Sequence, residues 1–99
     1  MEPLCKTIDE IDDFIAFLVL YCPNHFHPRH NLDLESAFEQ LRLSIRACAG
    51  EFPSKETMTT VENMSEEALL SYRGGINKQG AHILQDIAQV LEGGKKSAL

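Results

Sequence analysis

The sequence predicts an all-α fold, a small antiparallel bundle of about four helices. Three observations carry this. Apolar residues recur at spacings of three and four along four stretches of the chain; a polar capping residue stands where each stretch would begin, with proline or glycine where it would end; and strand-like alternation, an Asn-Gly hairpin signal and internal repeats are missing. Ninety-nine residues, 43% hydrophobic and 24% charged, suit a single domain over 1–99 with short frayed ends at 1–6 and 95–99.

The first helix, Ile8 to Cys22, organises the rest. On a helical wheel Ile8, Ile11, Ile15, Leu18 and Cys22 form one stripe, with Phe14 and Val19 on its shoulders. Asp9, Asp13, Phe17 and Leu20 fall on the other side, with Glu10 and Tyr21 between the faces, so the outer face is acidic in its first half and apolar in its second. A helix that is apolar nearly all round is either central, packed on several sides, or docks a partner. Thr7 and Glu10 make a capping box at its start, the acidic first turns suit the positive end of the helix dipole, and Pro23 ends it.

Pro23 to His30 reads as a loop. Asn31 or Asp33 caps the second helix, whose core side is Leu34, Phe38, Leu41, Ile45 and Cys48, with Gly50 as its stop. Glu35, Glu39, Arg42 and Arg46 line its polar side, Glu39 and Arg42 being spaced to pair weakly, while Leu43 points away from the stripe. Ser54 caps a third helix to about Arg73 with Met58, Val61, Met64, Ala68, Leu69 and Tyr72 inward; its threonines and the Asn63-Met64-Ser65 run leave open a break near Ser65. After Gly74-Gly75, Asn77 caps a fourth helix with Ala81, Leu84, Ile87, Ala88 and Leu91 on one side and Gly93-Gly94 as its stop. Gly80 lies on that apolar side, where it would let another backbone come close.

Fifteen acidic against nine basic residues give a net charge of −6, which weighs against nucleic acid and anionic membranes and favours a protein partner, neutral or basic. The apolar run in the first helix is too short to span a bilayer and lacks the flanks of a signal peptide. Cys5, Cys22 and Cys48, odd in number and irregularly spaced, point to a reducing compartment and a cytoplasmic location.

Cys22, His25, His27 and His30 form C-x-x-H-x-H-x-x-H, the right donor types for zinc, although the spacing fits no established zinc pattern and Cys22 is already accounted for as core. A Cys22–His25 nucleophile lacks a fixed orienting acid, and His82 reads as solvated. The acidic start of the first helix contains neither an EF-hand nor a Glu-x-x-His pair, Gly74-Gly75 lacks the ending of a phosphate loop, and Lys78 alone would serve a DNA-reading fourth helix. The expectation is a nonenzymatic, cofactor-free protein-binding module of the physical class of immunity proteins, antitoxins, chaperones and adaptors, with homodimerisation as a further outcome. Its partner surface would be Asp9, Asp13, Phe17, Leu20, Tyr21 and Phe26, the acidic residues steering a basic partner and the apolar ones anchoring it. The alternative is a metal-responsive protein holding zinc through Cys22, His25, His27 and His30.

Overall fold

A computed structural model describes residues 4–22 and 24–97 of the chain. Pro23, expected to end the first helix, and the outermost residues of the two expected frayed ends, 1–3 and 98–99, lie outside these. Four helices form, α1 (Ile8–Tyr21), α2 (Leu34–Ala47), α3 (Lys55–Arg73) and α4 (Asn77–Ser97), and there is no strand among the described residues. Each of the first three begins on a side-chain cap. Thr7 accepts from the Glu10 N–H, Asp33 from the Ser36 N–H and Ser54 from the Thr57 N–H.

The helices pack in a ring, α1 against α2, α2 against α3, α3 against α4 and α4 back against α1. Successive helices alternate in direction. Cys5, at the start of α1, donates its N–H to Ser44 Oγ near the end of α2, and Arg73 at the end of α3 pairs with Glu35 at the start of α2. Between α3 and α4 a Schellman turn reverses the chain: Gly75, at φ 80°, donates to the Tyr72 carbonyl, and the Ile76 N–H donates to the Ser71 carbonyl. Inward faces meet in one core, where Ile11, Ile15, Leu18, Leu41, Ile45, Val61, Leu84, Ile87 and Leu91 are fully buried. Removing such side chains from water is the main favourable term, about 2 kcal/mol for each.

Several boundaries differ from expectation for local reasons. α1 stops at Tyr21, and Cys22 is already extended, as suits a residue before proline. The second helix ends at Ala47 rather than Gly50, because the Cys48 N–H is shared between the Ser44 and Ile45 carbonyls and the chain tightens into a 3-10 turn over Ala49–Glu51. α3 is continuous through Ser65: that hydroxyl donates to the Glu62 carbonyl on its own helix, so it does not cap a new one. In the fourth helix Ile76, not Asn77, holds the capping position, since its carbonyl accepts from the Gly80 N–H. Gly93-Gly94 does not stop α4, which continues to Ser97.

Gly80 does permit a close approach, by a ring and not by a backbone. A Cβ there would lie 2.7 Å from Cε2 and 2.8 Å from Cδ2 of Tyr72, a residue that is itself buried. The Tyr72 hydroxyl is also buried and makes no hydrogen bond, so the ring is held by shape rather than by its polar end.

Gly80→Ala therefore sets two effects against each other. Alanine gains about 1 kcal/mol of helix propensity, but pushing a packed ring aside costs about 1–3 kcal/mol and adds to the lost Phe38–Tyr72 ring contact. The expected result is a melting temperature lower by several degrees in a thermal scan. An unchanged or higher value would mean that Tyr72 can move freely.

Candidate functional site

α1 occupies one corner of the ring, bordered by α2 and α4, and its apolar content exceeds what two neighbours cover. Its core stripe of Ile8, Ile11, Ile15 and Leu18 is sealed. The expectation of an uncovered outer face holds for Leu20, which is 71% exposed, and for Asp9 and Asp13, which are exposed. It fails in part for Phe17.

Phe17 is half-buried because the loop after α1 folds back over it. The Phe17 ring lies 4.7 Å from Tyr21, 5.9 Å from Phe26 and, edge to face, 4.9 Å from the His30 imidazole, with Phe14 nearly parallel at 5.7 Å. Phe17, Tyr21 and Phe26 are thus brought together, while Leu20 points elsewhere, towards α4. There it lines a groove of about 390 Å3 with Val19, Ala16 and Ala88.

The loop is held by its histidines. His27 Nδ1 accepts from the Arg29 N–H, and the His27 N–H donates to His30 Nδ1, closing a reciprocal cap on a 3-10 turn at Pro28–His30. Asn31, left-handed at φ 54°, then turns the chain towards α2. The His25 N–H donates to the Tyr21 carbonyl, extending the end of α1.

This arrangement does not gather the four proposed zinc donors. His27 and His30 each commit one ring nitrogen to a backbone N–H, and Cys22 turns into the core, where burial pushes its thiol from 9.0 up to about 12. Among the described residues no group of three or more His, Cys, Asp or Glu is placed to hold a metal ion. Burial likewise pushes Cys48 up to about 11 and raises Cys5, so the three free thiols are protonated at neutral pH and poor nucleophiles. His82 is exposed, as expected.

The residues before α1 also build the site, and sequence reasoning passed over them. Leu4 and Cys5 lie along α2, their N–H groups donating to Gln40 Oε1 and Ser44 Oγ at 3.1 and 3.2 Å, and the Ile8 N–H donates to Glu51 Oε1. Buried Gln40 and Ser44 on an otherwise apolar face were the signal, since a buried polar side chain needs a partner. This strap forms one wall of an apolar groove of about 430 Å3. Phe14, Phe17, His30 and Leu32 form the rest, with Glu10 and Asp13 on the rim. Glu10 is partly engaged, its carboxylate accepting from Thr7 Oγ1 and the Lys6 N–H.

A second groove, of about 440 Å3 between α2 and α3, is polar. Most of its charges are paired across and along the helices, Arg73 with Glu35, Arg46 with Glu62 and Arg42 with Glu39, and Glu66 adds a fourth glutamate to its lining. The Arg73 guanidinium holds the Glu35 carboxyl below its usual value.

Truncation should separate the two apolar positions of α1. Leu20→Ala should change the free energy of unfolding by less than about 0.5 kcal/mol, whereas Phe17→Ala, which removes ring contacts to four neighbours, should cost about 2 kcal/mol in urea titrations. Equal losses would place Leu20 in the core. Raised thiols and a Tyr72 hydroxyl pushed to about 12 also fix an alkaline limit. Below about pH 9 both states keep these protons; above it the unfolded chain releases them while the folded one does not, so stability falls as pH rises. The urea midpoint should drop between pH 9 and 11, less steeply in Cys22→Ala; a flat profile would refute the burial of the thiols.

No protein-family model, curated protein or solved structure matches this chain, so a functional reading rests on the geometry above.

Proposed function

We propose that the protein is a nonenzymatic binding module that docks another protein across the outer face of α1. The observation that carries this is Leu20, a large apolar side chain 71% exposed, on a face that continues into Ala16 and Asp13 and is flanked by an apolar groove on either side. An apolar anchor bordered by carboxylates is the composition of a protein interface. The cluster of Phe17, Tyr21 and Phe26 supports the anchor as a semi-rigid platform, because aromatic rings lose little conformational freedom on binding.

In this reading the net charge of −6 and the exposed Asp9 and Asp13 steer a basic partner, and the module acts as a neutraliser of the immunity or antitoxin kind, an adaptor or a chaperone. Nucleic acid and anionic membranes are disfavoured by the same charge, and no described helix is long and apolar enough to cross a membrane. The free, buried thiols favour a reducing, cytoplasmic setting. Two copies meeting through this face would bring two acidic surfaces together, which makes homodimerisation the weaker reading. Zinc binding is weaker still, because it would require Cys22 to leave the core and the His27–His30 cap to open.

A photo-crosslinking amino acid at Leu20, compared in living cells with one at exposed Thr59 on α3, tests the surface. The expected result is a discrete adduct from position 20 that is lost in an Asp9→Lys, Asp13→Lys background and never seen from position 59. Adducts of equal yield at both positions, or none at position 20, would reject the reading.

A further inference from the structure

The groove between α2 and α3 and the groove beside α1 differ in how their charges are balanced. Between α2 and α3, three of the four lining glutamates pair with the three arginines within the protein, Glu66 being the fourth. The groove beside α1 carries the Glu10 and Asp13 carboxylates on its rim, and neither lysine nor arginine contributes to its lining. Its walls are apolar and aromatic, with the Phe14 and Phe17 rings nearly parallel, 14° between planes, and Leu32 close by. Among the described residues it is therefore an acidic, partly aromatic recess whose one basic side chain is the His30 imidazole, with neither lysine nor arginine set against its carboxylates.

We infer that this groove receives an arginine side chain of the partner protein, an inference that rests on the docking reading above. Arginine fits each part of the lining at once. Its guanidinium is planar and weakly hydrated, stacks on aromatic faces and pairs with carboxylates through a fixed fork of donors. Its methylene stem covers apolar walls such as Leu32 and Phe14 while the head reaches the rim. Lysine offers the charge without the planar face, so it should bind less tightly. A neutral apolar side chain would fill the walls but leave the carboxylates without a cation. Asp13 is the informative rim residue, because it is exposed and takes no part in the α1 cap, whereas Glu10 does.

The probes are three five-residue peptides, blocked at both ends, of sequence Ala-Leu-X-Leu-Ala with X as arginine, lysine or citrulline, the neutral isostere of arginine. Titrated into isotopically labelled protein, the arginine peptide should shift the amide resonances of Cys5, Asp13, Phe14, Phe17 and Leu32. The citrulline peptide should bind about tenfold more weakly, the size expected for one charge-assisted hydrogen bond. Asp13→Asn should weaken the arginine peptide by a similar factor and flatten its salt dependence, with the circular dichroism spectrum unchanged. Phe17→Leu, which keeps an apolar filler, should erase the preference for arginine over lysine.

Equal binding of the citrulline peptide, shifts confined to the groove between α2 and α3, or no shift at millimolar peptide would overturn the inference. If the peptides fail while position 20 still crosslinks a partner, the arginine assignment falls and the docking surface stands. If the arginine peptide binds selectively but no partner crosslinks, the site takes arginine derivatives as such and the inference, stated for a protein partner, falls. A dimer at millimolar protein that is abolished by Arg29→Ala would make a second copy the occupant, and would overturn it equally.

Discussion

The rest of the structure depends on a mismatch of width on α1. A helix at the corner of a four-helix ring has two neighbours, which can seal a stripe roughly a third of its circumference. Ile8, Ile11, Ile15 and Leu18 fill that stripe. Phe14, Phe17, Val19, Leu20 and Tyr21 are further apolar surface that α2 and α4 cannot fully cover, and the chain treats the two shoulders differently. On the α2 side, the loop returns Phe26 and His30 onto Phe17 and Tyr21. On the α4 side nothing returns, and Leu20 stays in water.

The first shoulder can be built only because the chain ends of α1 are tied. At one end, the N–H groups of Leu4, Cys5 and Ile8 are taken up by Gln40, Ser44 and Glu51. Each such bond contributes only about 1 kcal/mol net, yet leaving Ser44 unpaired in a sealed interface would cost more, so the bonds specify where the strap lies. At the other end, the histidine cap fixes the 3-10 turn that carries His30 to the rings. The groove is the space between these two ties, and its shape is inherited from them.

This explains which parts were legible in the sequence. Core positions follow from period alone, because burial repeats every three or four residues, and Ile11, Leu41, Val61 and Leu84 needed no further information. Caps at Thr7, Asp33 and Ser54 were equally local, each made within three residues. What period does not encode is how a hydroxyl is spent. Ser65, near which the sequence leaves a break open, bonds back along α3, and Ser44, which the periodicity does not single out, holds the strap 39 positions away. The Phe17–Leu20 pair was split for the same reason: adjacency on a wheel does not reveal that a loop returns to one side only.

The charges follow the same division. α2 and α3 face each other with arginines and glutamates interleaved, so all but one of the glutamates in their outer groove are balanced internally. The carboxylates of α1 lie in its first turns, where the helix dipole favours them and where capping already uses Glu10. Helix stability alone would thus suffice to explain an acidic start. It does not explain why that acidic start borders aromatic rings left partly in water. The α1 sequence changes from acidic to apolar along a single outer face, and the fold covers that face only in part, over Phe17 and Tyr21 and not over Leu20. A fold optimised only for its own stability would have placed the aromatic surplus inward. Keeping charge and rings side by side at the surface is the arrangement that a partner combining an apolar stem with a cationic head would complete.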